Sequence, residues 1–440
     1  MSLKHFELSS LLNNLNIPAL NEMQEAALHT DWTEKDMVLL SATGSGKTLA
    51  FLLPVLQHME AVEKVTRTLI IVPSRELALQ IEQVARRLGT GHKISCCYGG
   101  HKREIEENNL IQAPALIVGT PGRLADHIRR GNIHTEHIEL LVLDEFDKSL
   151  ELGFAGEMTE IIEALPQLKK RILTSATQAV DIPEFVGLGD TVTLNFLKED
   201  DTVDKLVDIK TVRAEIDKTQ SLFELLCHIG SRSSIVFCNH KETVEVLSEQ
   251  LKARGIIHEY YHGSMEQRDR DSALCKFRNG SVHCLLTTDL AARGLDIPNI
   301  RYIIHYQIPH TKDIYTHRNG RTARMEASGT VVLLLGPHDY LPDYVEAAEE
   351  WKLHPPFDLP EKPKWTTLYI PLGKKNKVNK IDIVGFLTHQ GGLKKEDIGL
   401  IEVKDFSAFV AVRRSQVNHL LHTVKDARLK NKKVKVEVAK

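Results

Sequence analysis

Short apolar runs recur along roughly the first 340 residues, and segments of helical length separate them. The runs in the first half read DMVLL, RTLIIVP, PALIVGTP, IELLVLDE and RILTSAT. Similar runs return further along as SSIVFCN, VHCLLTTD, RYIIHYQIP and GTVVLLLG. Strands that alternate with helices are typical of a parallel sheet with crossover helices. The pattern therefore predicts two tandem α/β domains with parallel sheets, at residues 1–198 and 208–353.

The end of the chain follows a different order of elements. Residues 365–440 read as strand, helix, strand, strand, helix and strand, which is the order of an RRM-type sheet. The stretch 195–206 is charged and lacks a strong period, while 354–364 holds four prolines, so we interpret both as linkers. The predicted fold class is therefore α/β, with two parallel-sheet domains followed by a small α+β RRM-like domain.

Charge is distributed unevenly between the predicted domains. The 440-residue chain has a formal net charge of −3, but residues 366–440 hold 16 Lys and Arg against 7 Asp and Glu, a net of +9. The rest of the chain is net −12. A basic tail on an acidic body predicts that the tail binds a polyanion, and a solvated lysine-rich surface is the alternative.

Composition bounds the setting in which the protein works. No apolar run approaches the roughly 18 residues of a membrane span, and the first residues lack the apolar core of a signal peptide. Six scattered cysteines without a C-x-x-C pair predict a reducing compartment rather than a disulfide or zinc framework. We therefore expect a cytoplasmic protein that does not contact a membrane.

The stretch SATGSGKT, residues 41–48, follows a predicted strand and opens a predicted helix. Glycines in such a loop let backbone N–H groups turn towards phosphates at the positive end of the helix. The lysine can reach the β- and γ-phosphates, and the last hydroxyl can bind Mg²⁺. Ser41 stands where glycine is usual, which costs little if that position does not need a positive φ. The predicted nucleotide-binding residues here are Thr43, Gly44, Ser45, Gly46, Lys47 and Thr48.

Two acidic residues follow the apolar run LLVL. Asp144 can hold Mg²⁺ together with Thr48, and Glu145 can orient the attacking water for in-line displacement. Two acids after a strand are also common as a solvated turn. Their pairing with a phosphate loop about 100 residues earlier favours hydrolysis of ATP or GTP.

Gln24, upstream of the loop, indicates which base is bound. A glutamine amide can hydrogen-bond both N6 and N7 of adenine, and an aromatic residue, Phe6, lies further upstream. With these residues the chain resembles the DEAD-box RNA helicases from Phe6 to about residue 340. The shared motifs follow in family order: SATGSGKT, PSRELA, Gly99-Gly100, TPGRL, DEFD, SAT, IVFCN, HGSMEQRDR, TTDLAARGLDIP and HRNGRTAR.

The resemblance implies two RecA-like domains that bind ATP and Mg²⁺ and close on each other. Arg321 and Arg324 would then meet the γ-phosphate, and Asp296 would reach the ribose. The implied catalytic set is Lys47, Asp144, Glu145, Arg321 and Arg324. The residues implied to couple the ATP site to the RNA groove are Asp147, Ser175, Thr177 and His317.

The resemblance also implies RNA contacts, mostly to phosphate and ribose, because those groups do not vary with sequence. Each arginine taken alone would more commonly form a surface salt bridge. The implied contacts are Pro73, Arg75, Gly100, Thr120 and Arg123 in the first domain, and Gln267, Arg270, Thr288 and Arg293 in the second. In the family this grip bends one strand and separates short duplexes locally.

The tail has only part of an RRM's aromatic motif. Tyr369 fits a stacking position, Phe409 could stack or be buried, and Ser407 replaces a second aromatic. Lys374 and Lys375 offer a basic surface instead. This tail resembles the RNA-binding domain of the DbpA-type DEAD-box helicases, which implies a hairpin of large-subunit ribosomal RNA as target and a pre-ribosomal particle as partner.

One departure from the family pattern is Phe146, where the motif usually has alanine. The added volume near the catalytic strand requires a compensating core or a shifted strand. It leaves open an alternative function, an ATP-controlled RNA clamp or annealing chaperone with little hydrolysis. A DNA helicase fits less well, because the RRM-like tail and the Gln24 motif both indicate RNA.

Overall fold

The computed structural model describes residues 2–3, 6–32, 35–42, 44–60, 64–100, 102–176, 182–197, 207–289, 300–320, 329–345 and 347–439. Their contacts define two compact units, one formed by the N-terminal part of the chain and one that begins at Val203 and includes the tail. No helix among these residues is long and apolar enough to cross a bilayer.

The first unit contains a seven-stranded parallel sheet. The strands of this unit are β1 (Ser2–Leu3), β2 (Phe6–Glu7), β3 (Asp36–Leu40), β4 (Thr68–Ile71), β5 (Ile94–Cys97), β6 (Leu116–Gly119), β7 (Leu140–Leu143), β8 (Lys170–Ser175) and β9 (Thr191–Asn195), of which β3 to β9 form the sheet. Its helices are α1 (Leu8–Leu15), α2 (Glu22–His29), α3 (Lys47–His58), α4 (Arg75–Arg87), α5 (Arg103–Leu110), α6 (Pro121–Arg129), α7 (Phe146–Glu151) and α8 (Ala155–Glu163). The order in the sheet is β5-β6-β4-β7-β8-β3-β9, while β1 and β2 form a separate hairpin.

Both faces of this sheet are covered, which explains why its strands read as continuous apolar runs. Met37 and Leu39 of β3 join the apolar cluster on one face. Val38 and Leu40 of the same strand join the cluster on the other face. The two-residue period of the strand therefore divides one run between two cores.

The second unit repeats the architecture of the first. Its strands are β10 (Val207–Arg213), β11 (Ser234–Phe237), β12 (Glu259–Tyr261), β13 (Cys284–Thr287), β14 (Tyr302–His305), β15 (Gly329–Leu335) and β16 (Glu349–Glu350). Its helices are α9 (Lys218–Ile229), α10 (Lys241–Ala253), α11 (Gln267–Arg278) and α12 (Lys312–Asn319). The strands form one parallel sheet in the order β12-β13-β11-β14-β15-β10-β16.

The tail forms the predicted antiparallel sheet. Its elements are β17 (Trp365–Ile370), α13 (Lys380–Gly385), β18 (Ile398–Val403), β19 (Ala408–Arg413), α14 (Val417–Thr423), β20 (Arg428–Leu429), β21 (Lys432–Lys433) and β22 (Glu437–Val438). The order β18-β19-β17-β22 is that of an RRM-type sheet, so the predicted fold class is confirmed.

The second tail helix is shorter than its apolar pattern predicts. The segment QVNHLLHTVKDARL, residues 416–429, reads as one helix in the sequence, but the chain leaves α14 at Thr423 and then forms the β20–β21 hairpin. Lys430 and Asn431 turn this hairpin with φ of 52° and 64°. Two consecutive positive φ angles suit a two-residue hairpin turn and are incompatible with a right-handed helix.

The tail packs against the second α/β domain, so the proline-rich linker does not leave it as a separate body. Phe409 is 2% exposed and shares an apolar cluster with Cys275 of α11 and with Ala439. The Thr367 hydroxyl lies 2.8 Å from the Asn279 amide and 2.9 Å from the Ser281 hydroxyl. Phe409, which could have stacked on a base, is therefore buried against α11 instead.

The linker before the tail also follows the surface of the second domain. Phe357 packs on that domain's apolar cluster together with Trp351. The Ser231 hydroxyl donates to the backbone oxygen of Glu361 at 3.2 Å. The proline-rich linker is therefore held on the surface of the second domain and does not hang free.

A half-buried ion pair joins the tail to α11. The Glu402 carboxylate accepts from Arg278 Nη1 at 3.1 Å and from Lys404 Nζ at 2.9 Å. Burial alone would raise the pKa of Glu402, but the charges of Lys404 and Arg278 lower it to about 2. The ionised carboxylate is therefore the stable form in the folded protein.

We expect Glu402→Gln to lower the free energy of unfolding at pH 7 by about 3 kcal/mol, because a pKa lowered from 4.5 to about 2 stabilises the folded state. This contribution is complete above about pH 4.5 and is lost as the pH falls towards 2. Urea unfolding of variant and parent from pH 7 to pH 3 measures the difference. The exposed Glu396→Gln is the control, and a difference that does not shrink in acid would contradict the assignment.

Candidate nucleotide and nucleic-acid sites

The carboxyl ends of the first sheet's strands bring the predicted site residues to one edge. In a parallel sheet all strands end on the same side, where ligands bind. Backbone pairing aligns the last residues of four strands with one another and with Leu173 of β8: Cys97, Gly119, Ile71 and Leu143. The loops after β5, β6 and β4 carry the predicted RNA contacts, and those after β7 and β3 carry the predicted ATP residues. Ser175, a predicted coupling residue, ends β8. The two predicted sites therefore share one edge.

The phosphate loop has the backbone that a phosphate cradle requires. Gly44 and Gly46 have φ of 84° and 93°, in the region that favours glycine. Ser41 is not among the described residues with positive φ, which confirms that serine costs little there. Lys47 Nζ donates to the Ser41 backbone oxygen at 2.7 Å. Thr48 lies half-buried in the first turn of α3.

Gln24 contacts the phosphate loop directly. Its amide nitrogen donates to the Gly46 oxygen at 3.2 Å, while its amide oxygen accepts from the Asn21 backbone at 3.0 Å. A Cβ on Gly46 would lie 2.5 Å from Gln24 Nε2, so the close approach as well as the φ requires glycine. Phe6 packs edge-on against His92 at 5.6 Å. Gln24 thus connects α2 to the loop, and adenine recognition by Gln24 and Phe6 remains a proposal.

Asp144 and Glu145 stand at the end of β7 beside the phosphate loop. The Thr174 hydroxyl donates to Asp144 Oδ1 at 2.5 Å, and the Glu145 backbone N–H donates to the same oxygen at 3.1 Å. Burial raises the pKa of Asp144, and the nearby charge of Lys47 opposes that shift. A buried carboxylate of this kind is stabilised by a cation, so the residues fit a bound Mg²⁺.

Glu145 adopts a left-handed backbone conformation with φ of 48°. Such a conformation is uncommon for a residue with a side chain and is concentrated at functional sites. The residue caps α7, and its backbone N–H also contacts the Thr174 hydroxyl at 3.1 Å. This turn therefore fixes the direction in which the Glu145 side chain leaves the strand.

The unusual Phe146 lies inside the core. It is 2% exposed and belongs to the apolar cluster that includes Leu143, Leu173 and Met158. Asp147, in the first turn of α7, and Ser175, at the end of β8, are also buried. Burial raises the pKa of the Asp147 carboxyl. The core therefore accommodates the larger side chain in the turn that carries the acids.

The predicted RNA contacts of the first domain occupy three adjacent loops. Pro73 is buried, while the Arg75 guanidinium lies 4.4 Å from the centre of the Tyr98 ring. Gly100 is exposed with φ of 90°. Thr120 caps α6, and Arg123 Nη1 forms an ion pair with Glu106 at 3.0 Å. The fold thus brings together residues that are 50 positions apart in the sequence.

In the second domain the described RNA candidates follow two paired strands. Gln267 and Arg270 begin α11 after β12, and Gln267 donates to Asp271 at 2.9 Å. Thr288 follows β13, whose last residue, Thr287, donates to the Tyr261 oxygen of β12 at 2.8 Å. His317, a predicted coupling residue, is 8% exposed on α12.

Arg318 and Asp289 form a structural pair that the sequence reasoning missed. Arg318 is fully buried, and its Nε and Nη2 donate to the two oxygens of Asp289 at 2.6 and 3.2 Å. Nη1 donates to the Gln307 oxygen at 2.9 Å, and Nη2 donates to Asn239 at 2.8 Å. Burial and this positive charge lower the pKa of His305 to about 3. Asp289 lies in the motif TTDLAARGLDIP and Arg318 in HRNGRTAR, and this could have indicated a role for both residues.

In the tail, Lys374 and Lys375 are exposed, as predicted. Their backbone N–H groups donate to the oxygens of Lys404 at 2.9 Å and Asp405 at 2.8 Å, which fixes the loop. Tyr369 is different, because the Arg268 guanidinium lies 4.4 Å from its ring centre. The second domain thus covers that ring face, which argues against the predicted base stacking on Tyr369.

Six predicted site residues lie outside the described residues. They are Thr43, Thr177, Arg293, Asp296, Arg321 and Arg324.

Comparisons with known proteins agree with this arrangement. The DEAD/DEAH box helicase family model matches residues 21–185, the helicase conserved C-terminal domain matches 217–326, and the DbpA RNA binding domain matches 367–438. The chain is 33% identical to the ATP-dependent RNA helicase DbpA of Escherichia coli (strain K12), across 98% of this chain and 96% of that protein. The corresponding protein of Bacillus subtilis (strain 168) is 30% identical, across 97% and 96%.

Solved structures show the same helicase architecture. The S. cerevisiae Dbp5 structure bound to RNA and ADP BeF3 has a TM-score of 0.67 and 27% identity, and the match covers 78% of this chain and 92% of that one. Fold and site therefore define an ATP-dependent enzyme built from two parallel-sheet domains and an RNA-binding tail. The chain belongs to the DEAD-box ATP-dependent RNA helicases of the DbpA type.

We expect Arg318→Met to lower the stability of the second unit by about 3–5 kcal/mol, because it leaves the Asp289 carboxylate without its bidentate partner. Urea unfolding of the full chain measures this loss. The exposed Lys252→Met on α10 is the control and should change stability by less than about 0.5 kcal/mol. Equal stability of the two variants would mean that the buried pair does not hold the second domain together.

Proposed function

We propose that this helicase uses ATP to clamp RNA and to unwind short duplexes locally, and that its tail directs it to large-subunit ribosomal RNA during ribosome assembly. The observation that carries the first part is the shared edge of the first sheet. There, Lys47, Asp144 and Glu145 occupy one half, while Arg75, Gly100 and Arg123 occupy the other. Nucleotide state and RNA grip can then influence each other through adjacent strands.

The proposed catalytic roles follow from the charges of phosphoryl transfer. The loop N–H groups and Lys47 bind the phosphates, Thr48 and Asp144 hold Mg²⁺, and Glu145 orients the attacking water. Mg²⁺ would neutralise developing charge on the phosphate oxygens. Gln24 and Phe6 would select adenine, Asp296 would contact the ribose, and Arg321 and Arg324 would meet the γ-phosphate.

The proposed RNA grip uses phosphate and ribose contacts. In the first domain these are Pro73, Arg75, Gly100, Thr120 and Arg123, and in the second Gln267, Arg270, Thr288 and Arg293. Asp147, Ser175, Thr177 and His317 would couple the grip to hydrolysis. Backbone contacts do not depend on sequence, so the helicase domains alone would treat all RNA alike.

The proposed target comes from the tail. Its net charge of +9 and the exposed Lys374 and Lys375 support binding to RNA phosphates. The ion pair between Glu402 and Arg278 supports a fixed position on the second domain. A ribosomal hairpin held by the tail would therefore lie at a defined distance from that domain, within a pre-ribosomal particle. The six cysteines, all within the described residues, are free, which supports a cytoplasmic location.

The hydrolytic role of Glu145 predicts a separation of binding from turnover. Glu145→Gln keeps the size and polarity of the side chain but removes the charge that orients water. We expect ATP and RNA to bind within about twofold of the parent, while RNA-dependent turnover falls about 100-fold or more. Exposed Glu163→Gln is the matched control. If Glu145→Gln turned over ATP at the parental rate, another group would orient the water.

The targeting role of the tail predicts a loss of preference rather than a loss of activity. We expect Lys374→Ala/Lys375→Ala in the full chain to raise the concentration of large-subunit ribosomal RNA that gives half-maximal ATPase. The concentration for an unrelated RNA of equal length should change much less. The control is Lys394→Ala/Lys395→Ala, which removes the same charge from exposed positions. These two lysines precede β18, whereas the Lys374–Lys375 loop is bonded to the residues that follow β18.

Salt separates shape recognition from charge in this experiment. Nonspecific phosphate binding weakens steeply as salt rises, whereas recognition of a shaped hairpin keeps its ratio. The preference of the parent should therefore persist at a second, higher salt concentration. A parent without preference at the higher salt, or equal losses in both lysine pairs, would contradict the proposed target.

A further inference from the structure

A buried carboxylate lies behind the candidate RNA contacts of the first domain. Glu106 of α5 is 2% exposed. Its Oε1 accepts from the Tyr98 backbone N–H at 2.8 Å, and its Oε2 accepts from Arg123 Nη1 at 3.0 Å. His127 Nε2 lies 2.8 Å from the same Oε2. One side chain thus connects the loop after β5 with the first and the last turn of α6.

The segments that meet at Glu106 carry most of the proposed contacts. Tyr98 directly precedes Gly99 and Gly100, and its ring lies under the Arg75 guanidinium. The Thr120 backbone N–H donates to the Cys97 oxygen at 3.0 Å, next to Tyr98. Arg123 contacts the carboxylate itself. Glu106, which is shielded from solvent, therefore joins two of the candidate RNA loops directly, and the third contacts one of them through the Tyr98 ring.

The same cluster has the composition of a metal site, but its charges argue otherwise. Ligand atoms of Cys97, Glu106 and His127 lie within 4.8 Å of one another. The Arg123 guanidinium already supplies a positive charge to Glu106. Burial, and then the Glu106 charge, raises the pKa of the Cys97 thiol, which disfavours a thiolate ligand. Asn132 Nδ2 lies 3.1 Å from His127 Nδ1, so Nε2–H can donate to Glu106.

We propose that Glu106 is a positioning residue that holds Arg123 and the Tyr98–Gly100 loop in the geometry that grips RNA. This inference rests on the RNA role proposed above for Arg123. An arginine on a solvated surface samples many rotamers, and fixing it before binding avoids that entropic cost on contact with phosphate. The buried carboxylate fixes the guanidinium through a charge-assisted hydrogen bond.

Charge alone predicts the opposite effect. A carboxylate near an RNA surface repels phosphate, so removing its charge should strengthen RNA binding. If Glu106 instead positions Arg123 and the loop, removing the charge should weaken RNA binding. The direction of the change therefore distinguishes the two roles.

The test measures RNA-stimulated ATPase of the full chain with single-stranded RNA of mixed sequence. We expect Glu106→Gln to raise the RNA concentration for half-maximal ATPase about tenfold, equivalent to about 1.4 kcal/mol. Turnover at saturating RNA and the KM for ATP should stay within about twofold. Glu104→Gln, an exposed position on the same helix, should leave the RNA concentration unchanged or lower it.

Two further variants keep the result unambiguous. Glu106→Asp retains the charge but is too short to hold both Tyr98 and Arg123, so it should weaken RNA binding like Glu106→Gln. Arg123→Ala should also weaken binding, and adding Glu106→Gln to it should change little, because coupled residues are not additive. If Arg123→Ala has no effect, the proposed RNA role of Arg123 fails. If it weakens binding while neither Glu106 variant does, only the positioning role is overturned.

Discussion

The structure of this helicase depends on one constraint, that the strands of a parallel sheet all end on the same side. Each crossover helix returns the chain to the starting edge, so every loop after a strand reaches a common edge. In the first domain this edge receives the phosphate loop after β3, the acidic turn after β7 and the RNA loops after β4, β5 and β6. Residues far apart in sequence become neighbours without any long loop.

Buried charged residues in both domains are held by specific partners. Asp144 is bonded to the Thr174 hydroxyl, Arg318 to Asp289, and Glu106 to Arg123. A buried charge without such partners would cost several kcal/mol. Since the pairs join different loops, a shift in one loop disturbs the hydrogen bonds of another. This linkage favours discrete arrangements of the edge over gradual deformation.

Much of this fold could be predicted from the sequence because buried parallel strands leave continuous apolar runs. The phosphate loop could be predicted as well, since its glycines, lysine and threonine stand at fixed spacing. The docking of the tail could not, because Phe409 suits an RNA-stacking position and a buried contact equally well. Only the structure, in which Phe409 packs against Cys275, distinguishes the two roles. The hairpin at Lys430 and Asn431 was missed because neither residue is glycine, although both have positive φ.

The position of helix α11 limits how domains can be exchanged between such enzymes. Its first turn carries Gln267 and Arg270, while Cys275 and Arg278 near its end contact the tail sheet. Moving the tail alone onto another helicase would expose Phe409 and leave Glu402 without Arg278. The natural unit of exchange is therefore the second domain together with its tail. Chimeras joined near residue 203 should preserve the packing between the tail and α11, whereas fusions joined at the proline-rich linker should lose it.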